Sequence, residues 1–171
     1  SKLYDPFLLN GMESAVERMQ KALSSGEKIL VYGDYDVDGT TSVAMMFSFL
    51  RSRHDKVDFY IPDRYKEGYG VSRQGVDYAI ECGATLIIAL DCGIKAVDRV
   101  AYASSRGVDF IICDHHTPGD TLPAAVAVLD PEAAVLSTDE AQKRLKALAA
   151  QPEFDKDKKE FERLAKEGQD M

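Results

Sequence analysis

Short apolar runs alternate with longer stretches of helical periodicity along most of this chain. Ile29-Leu30-Val31-Tyr32, residues 57–61, Leu86-Ile87-Ile88-Ala89-Leu90 and Phe110-Ile111-Ile112-Cys113 read as strands, and residues 125–129 add a further one before Pro131. Pro62 stops the second strand. Residues 13–24 place Val16, Met19 and Leu23 at helical spacing with Gly26 just beyond, and residues 40–53 do so with Val43, Met46, Phe47 and Leu50. Helices over 72–82 and 95–106 end at Gly83 and Gly107. Strands that are apolar on both faces and alternate with helices predict an α/β, Rossmann-like fold, a parallel β-sheet with helices on both faces.

Beyond Pro131 the pattern changes. Ser137-Thr138-Asp139-Glu140 forms a capping box for a helix ending near Ala150, and 153–166 reads as a second helix stopped by Gly168. Acidic and basic residues are mixed throughout, as in a solvated helical hairpin. The expected organisation is an α/β domain over 1–131 and a C-terminal helical tail over 132–171 with no assigned chemistry.

Length and composition narrow the function. A chain of 171 residues, 45% hydrophobic and 29% charged, buries a real core. Its formal charge of -8 repels nucleic acid, so a polyanionic substrate requires metal ions or a local basic patch, and a generic DNA-binding module is disfavoured. Cys82, Cys92 and Cys113 form no C-x-x-C pair, which predicts reduced, mostly buried thiols. No apolar run approaches the roughly 18 residues of a membrane span. The opening Ser1-Lys2-Leu3-Tyr4-Asp5-Pro6 is no secretory core, so a cytoplasmic location is expected.

The candidate chemistry lies at the strand ends. Gly33-Asp34-Tyr35-Asp36-Val37-Asp38-Gly39, Asp91-Cys92-Gly93 and Asp114-His115-His116 each follow a predicted strand directly. Parallel neighbours would deliver all three to one sheet edge, where open α/β folds bind ligands. Acids spaced every second residue repel one another in a partly dry cleft, and a divalent ion is the natural compensation. An EF-hand loop starting at Asp34 would place Met45 where a bidentate Glu is required, and a strand precedes it. A haloacid-dehalogenase-type phosphatase would have its nucleophile directly after the strand, yet Gly33-Asp34-Tyr35 precede Asp36-Val37-Asp38-Gly39-Thr40. A two-metal phosphoesterase uses every signature: Asp34, Asp36, Asp38 and Asp91 balance two dications, with His115 neutral. Helix capping and loop roles explain any single acid but not three sets at three strand ends. His54, in the charged helix end Arg51-Ser52-Arg53-His54-Asp55-Lys56, is expected to be merely solvated.

Asp34-Tyr35-Asp36-Val37-Asp38-Gly39-Thr40-Thr41-Ser42, Leu90-Asp91-Cys92-Gly93-Ile94 and Cys113-Asp114-His115-His116 together resemble the DHH phosphoesterase family. Within it, Tyr4 to Leu8, Ile61 to Gly70 and Val126 to Pro131 are similar to its single-strand-specific 5′→3′ DNA exonucleases of repair and recombination. That resemblance implies two divalent cations, Mn²⁺ or Mg²⁺, one held by Asp34, Asp36 and Asp91 and the other by Asp38, Asp91 and His115. It places His116 at the scissile phosphate and Asp114 behind the histidines. Arg64 and Lys66 would meet phosphates while Tyr65 or Tyr69 stacks on a base of single-stranded DNA. A single-strand-binding protein is an implied partner. The family's further metal-binding Asp and its second domain are not recognisable downstream, so the chain is expected to be a fragment with an incomplete site and weak activity. Short oligonucleotides, cyclic dinucleotides or pyrophosphate are alternative substrates, and a non-catalytic metal- or nucleic-acid-binding module is the alternative of another class.

Overall fold

A computed structural model describes residues 5–131, so the two helices expected over 137–166 lie outside the described residues. The chain divides into two units, residues 9–135 and a second made of 1–8 and 136–171. The described part of the second is a 3₁₀ turn over Pro6–Leu8, opened by Asp5, whose Oδ1 accepts the Phe7 N–H at 2.9 Å.

The first unit runs α1 (Met12–Ser24), β1 (Lys28–Gly33), α2 (Val37–Arg51), β2 (Val57–Tyr60), α3 (Arg73–Glu81), β3 (Ala84–Leu90), α4 (Val97–Ser104), β4 (Asp109–Cys113) and β5 (Ala127–Leu129). All strands are parallel, in the order β2-β1-β3-β4-β5. Side chains alternate across the pleat, so the apolar runs feed two separate cores. Ile29, Val31, Leu86, Ile88 and Ile111 pack with Ala15 and Ala22 of α1 and Val43 and Leu50 of α2. Leu30, Tyr32, Ile87, Phe110 and Ile112 pack on the other face with Val76 and Ala79 of α3 and Val100 and Ala103 of α4. This is the expected sheet covered on both sides.

The strand order fixes where a ligand can sit. The α2 crossover carries the chain from β1 outward to β2, and the α3 crossover returns it past β1 to β3. The segments leaving β1 and β3 therefore depart toward opposite faces, which opens a crevice at the carboxyl ends of these neighbours.

Several local details depart from the expected pattern. Helix α2 begins at Val37 rather than 40, because Asp36 caps it, its Oδ1 accepting the Gly39 N–H at 2.8 Å. The tight start depends on two glycines. A Cβ on Gly39 would lie 2.5 Å from the Asp34 carbonyl oxygen, and one on Gly33 would lie 2.4 Å from Val43 Cγ2. Helix α4 is shorter than expected at both ends, since residues 93–96 form a turn closed by Ala96 N–H to Gly93 O at 2.9 Å. His54 is half-buried, its Nε2 lying 2.6 Å from the Glu27 carbonyl oxygen, so it ties the end of α2 to the loop before β1 instead of simply being solvated.

Candidate metal centre

The crevice gathers the three acidic signatures. Asp91 follows β3 with φ of 59°, the one non-glycine residue among those described with a left-handed backbone. Its N–H extends the ladder to Cys113 O at 2.8 Å, and the left-handed turn, continued by Gly93 at φ 109°, redirects the chain there. Asp tolerates this conformation better than most residues, though a strain of about 1 kcal/mol or more remains. The Asp91 carboxylate lies 3.1 Å from His115 Nε2. Ligand atoms of Asp91, His115 and His116 all fall within 4.8 Å of one another, as a shared cation requires.

His116 is held from both sides. Its Nδ1 is 2.7 Å from Asp114 Oδ1, and its Nε2 is 2.9 Å from the Tyr69 hydroxyl. A carboxylate only accepts, so Nδ1 carries the proton, while the Tyr69 hydroxyl can either donate to Nε2 or accept from it. Asp114 is itself buried and anchored, accepting the Ile94 N–H at 2.9 Å and the His116 N–H at 3.1 Å. Burial works to raise its carboxyl, but these bonds outweigh it and hold Asp114 below the usual carboxylate range. The bond from Asp114 raises His116 above the ordinary imidazole value, against the effect of desolvation.

The acids after β1 stand beside this group. Asp34 is fully buried; its Oδ1 accepts the Tyr35 N–H at 2.8 Å, while Oδ2 has no hydrogen-bond partner. Burial pushes the Asp34 carboxyl up, and the charge of Asp36 adds to this. Asp91 is likewise pushed up, first by burial and then by Asp36 and Asp38, against the pull of His115 and His116. Asp36 and Asp38 therefore lie close enough to Asp91 for their charges to be felt, although they stand outside the tight triad. A buried carboxylate oxygen without a donor, and two carboxyls destabilised as anions, fit a bound cation. Carboxylates with limited imidazole favour Mn²⁺ or Mg²⁺ over thiolate-seeking metals. Cys92 and Cys113 are free thiols with raised pKa, by burial first and then by nearby carboxylates, Cys113 up to about 11, so neither competes as a thiolate.

Residues 61–72 form a wall of the crevice on a scaffold that periodicity did not reveal. The Tyr32 hydroxyl donates to Gly70 O at 3.0 Å and accepts the Ser72 N–H at 3.0 Å. Glu67 accepts from Ser72 Oγ at 2.5 Å, Tyr60 OH at 2.9 Å and the Asp63 N–H at 2.8 Å. The signal was available: Tyr32 is the polar end of an otherwise aliphatic strand. Of the expected substrate contacts, Tyr69 meets His116, Tyr65 and Lys66 are exposed, and Arg64 lies over the Tyr35 ring at 5.3 Å. Tyr35 packs edge-on to Tyr69 at 6.3 Å, an aromatic pair missed in the sequence.

Fold and donor set define an α/β domain with a candidate metal centre at its switch point. The chain belongs to the DHH family: residues 28–164 match the model of the DHH family, N-terminal domain. It is 48% identical over 129 residues to the single-stranded-DNA-specific exonuclease RecJ of Bacillus subtilis, an alignment covering 75% of this chain and 16% of that protein. It is similar in structure to exonuclease RecJ bound to manganese, with TM-score 0.68 and 36% identity over 74% of this chain and 32% of the other. RecJ from Thermus thermophilus in complex with Mn²⁺ gives TM-score 0.61 and 32% identity, covering 72% of this chain and 17% of that one. The chain thus spans about a sixth of the length of the Bacillus relative. Among the described residues no helix is long and apolar enough to cross a membrane.

Proposed function

We propose that this domain carries the metal-binding residues of a single-strand-specific DNA exonuclease that hydrolyses phosphodiesters with two divalent cations. The observation that carries this reading is the convergence of Asp91, His115 and His116 beside the acidic start of α2. In it Asp34, Asp36 and Asp91 hold one Mn²⁺ or Mg²⁺, and Asp38, Asp91 and His115 hold the other. Bound ions supply positive charge that acidifies the attacking water and neutralises the phosphate oxygens. Asp114 orients His116 through Nδ1 and favours its doubly protonated form, so that Nε2–H, once released from Tyr69, would donate to a phosphate oxygen or the leaving group. Tyr35 and Tyr69 offer stacking faces, and Arg64 and Lys66 offer cations to a single strand. The similarity to RecJ supports this substrate class over pyrophosphate or dinucleotides.

The triad favours a second reading, in which His116 is a ligand rather than a group acting on the phosphate. Mn²⁺ titration followed by thermal melting separates the possibilities. Mn²⁺ is expected to raise the melting temperature, and Asp91→Ala to abolish the rise; equal shifts in both proteins overturn the metal assignment. His116→Ala leaves the rise intact in the first reading and reduces it in the second. A long 5′-labelled single strand incubated beside a dinucleotide and pyrophosphate tests the substrate class.

A further inference from the structure

Beside the metal centre lies a cavity of about 410 Å³ whose α4 side the proposed metal chemistry does not use. Tyr69 and His116 line it together with Gly93, Lys95, Asp98 and Arg99, from the turn after β3 and the first turn of α4. Lys95 and Arg99 are exposed. Neither has an ion-pair or hydrogen-bond partner among the described residues, a state they share with Lys21, Arg64, Lys66 and Arg106 but not with the other described cations. Arg18 is bound to Asp109 and Glu27, Lys28 to Asp58, Arg73 to Asp77, and Lys56 to the Gly26 carbonyl. Two uncommitted cations thus share a cavity with the one histidine bonded to Asp114.

Resting on the function proposed above, we infer that Lys95 and Arg99 form a phosphate subsite for the backbone linkage adjoining the scissile one. A polyanion nearing a chain of formal charge -8 is repelled everywhere except where metal ions or unpaired cations face it. The metal centre answers for one phosphate. The next phosphate along the strand needs its own counter-charge, and this cavity adjoins His116 directly. Asp98 and Asp114 also line the cavity and oppose an anion, Asp114 with its carboxylate already bonded to the Ile94 N–H and to His116, so the site needs both cations to offset them. The loop cations Arg64 and Lys66 reach the strand from the 61–72 wall, leaving the α4 wall to Lys95 and Arg99.

The test is binding of a phosphorothioate-linked oligothymidylate of about twelve nucleotides, which keeps its charges and resists cleavage, to the full chain with Mn²⁺ over a range of salt. The double variant K95Q/R99Q is expected to bind roughly tenfold more weakly at low salt, with its salt dependence shallower by about 0.7 for each phosphate it no longer neutralises. A single methylphosphonate linkage next to the metal-bound phosphate should weaken the wild-type chain but not the double variant. Unchanged affinity and slope in K95Q/R99Q, with wild-type binding still lost in Asp91→Ala, overturn the subsite and leave the metal reading standing. Wild-type chain that binds no single strand in Mn²⁺ overturns both. The Mn²⁺-induced melting shift of the double variant, expected to persist, verifies its fold.

Discussion

Gly39→Ala probes the step by which local packing creates the metal centre. Helix α2 starts hard against the end of β1, and a methyl at position 39 would sit 2.5 Å from the Asp34 carbonyl oxygen and 2.7 Å from its nitrogen. Both are backbone atoms, so no rotamer change relieves the overlap; the helix start must back away from the strand. Overpacking of this kind costs about 1–3 kcal/mol, and the helix propensity gained from Ala returns at most about 1 kcal/mol. A net loss of about 1–2 kcal/mol lowers the melting temperature of a domain this size by roughly 4–8 °C. The same movement carries Asp36 and Asp38 away from Asp91, so the Mn²⁺-induced rise should shrink as well. Gly119→Ala is the control: its Cβ would meet nothing nearer than Thr121 O at 3.9 Å. Metal-free and Mn²⁺ melting curves of the three proteins read the effect. A Gly39→Ala protein as stable as wild type, with the full Mn²⁺ rise, would refute the claim that this contact sets the carboxylate positions.

Asp34→Asn is expected to raise the metal-free melting temperature, because burial disfavours the Asp34 anion and one of its oxygens lacks a donor, and to diminish the Mn²⁺ rise; a less stable variant with an undiminished rise contradicts this. Glu67 works with the opposite sign. Burial acts to raise it, but the Ser72 hydroxyl, the Asp63 N–H and the Tyr60 hydroxyl lower it below its ordinary value of 4.5. Its stabilisation is therefore complete above that value and is lost as pH falls through the lower folded-state pKa. Glu27, lowered first by Thr85, behaves likewise. Metal-free melting from about pH 6 down to 3 should steepen below the ordinary carboxylate range, and Glu67→Gln should flatten part of that loss; an unchanged profile would mean the loop is not anchored through this carboxylate.

The architecture and the neighbourhood of the site were readable from the order of residues. Doubly apolar strands such as Leu86 to Leu90 are stable only when covered on both faces, and signatures placed directly after parallel strands must share one edge of the sheet. The arrival of Asp34, Asp91 and His115 at that edge was legible for that reason. The pairings emerged only in the packed chain, because they join residues far apart along it: Tyr69 on His116, Tyr32 and Glu67 under the 61–72 wall, and Lys95 and Arg99 opposite that wall. Packing likewise makes Asp36 a helix cap instead of a loop residue, since that depends on how near α2 can come to β1 without a Cβ at Gly33 and Gly39. Periodicity records which face of an element is buried; the distances between elements follow from how those faces fit.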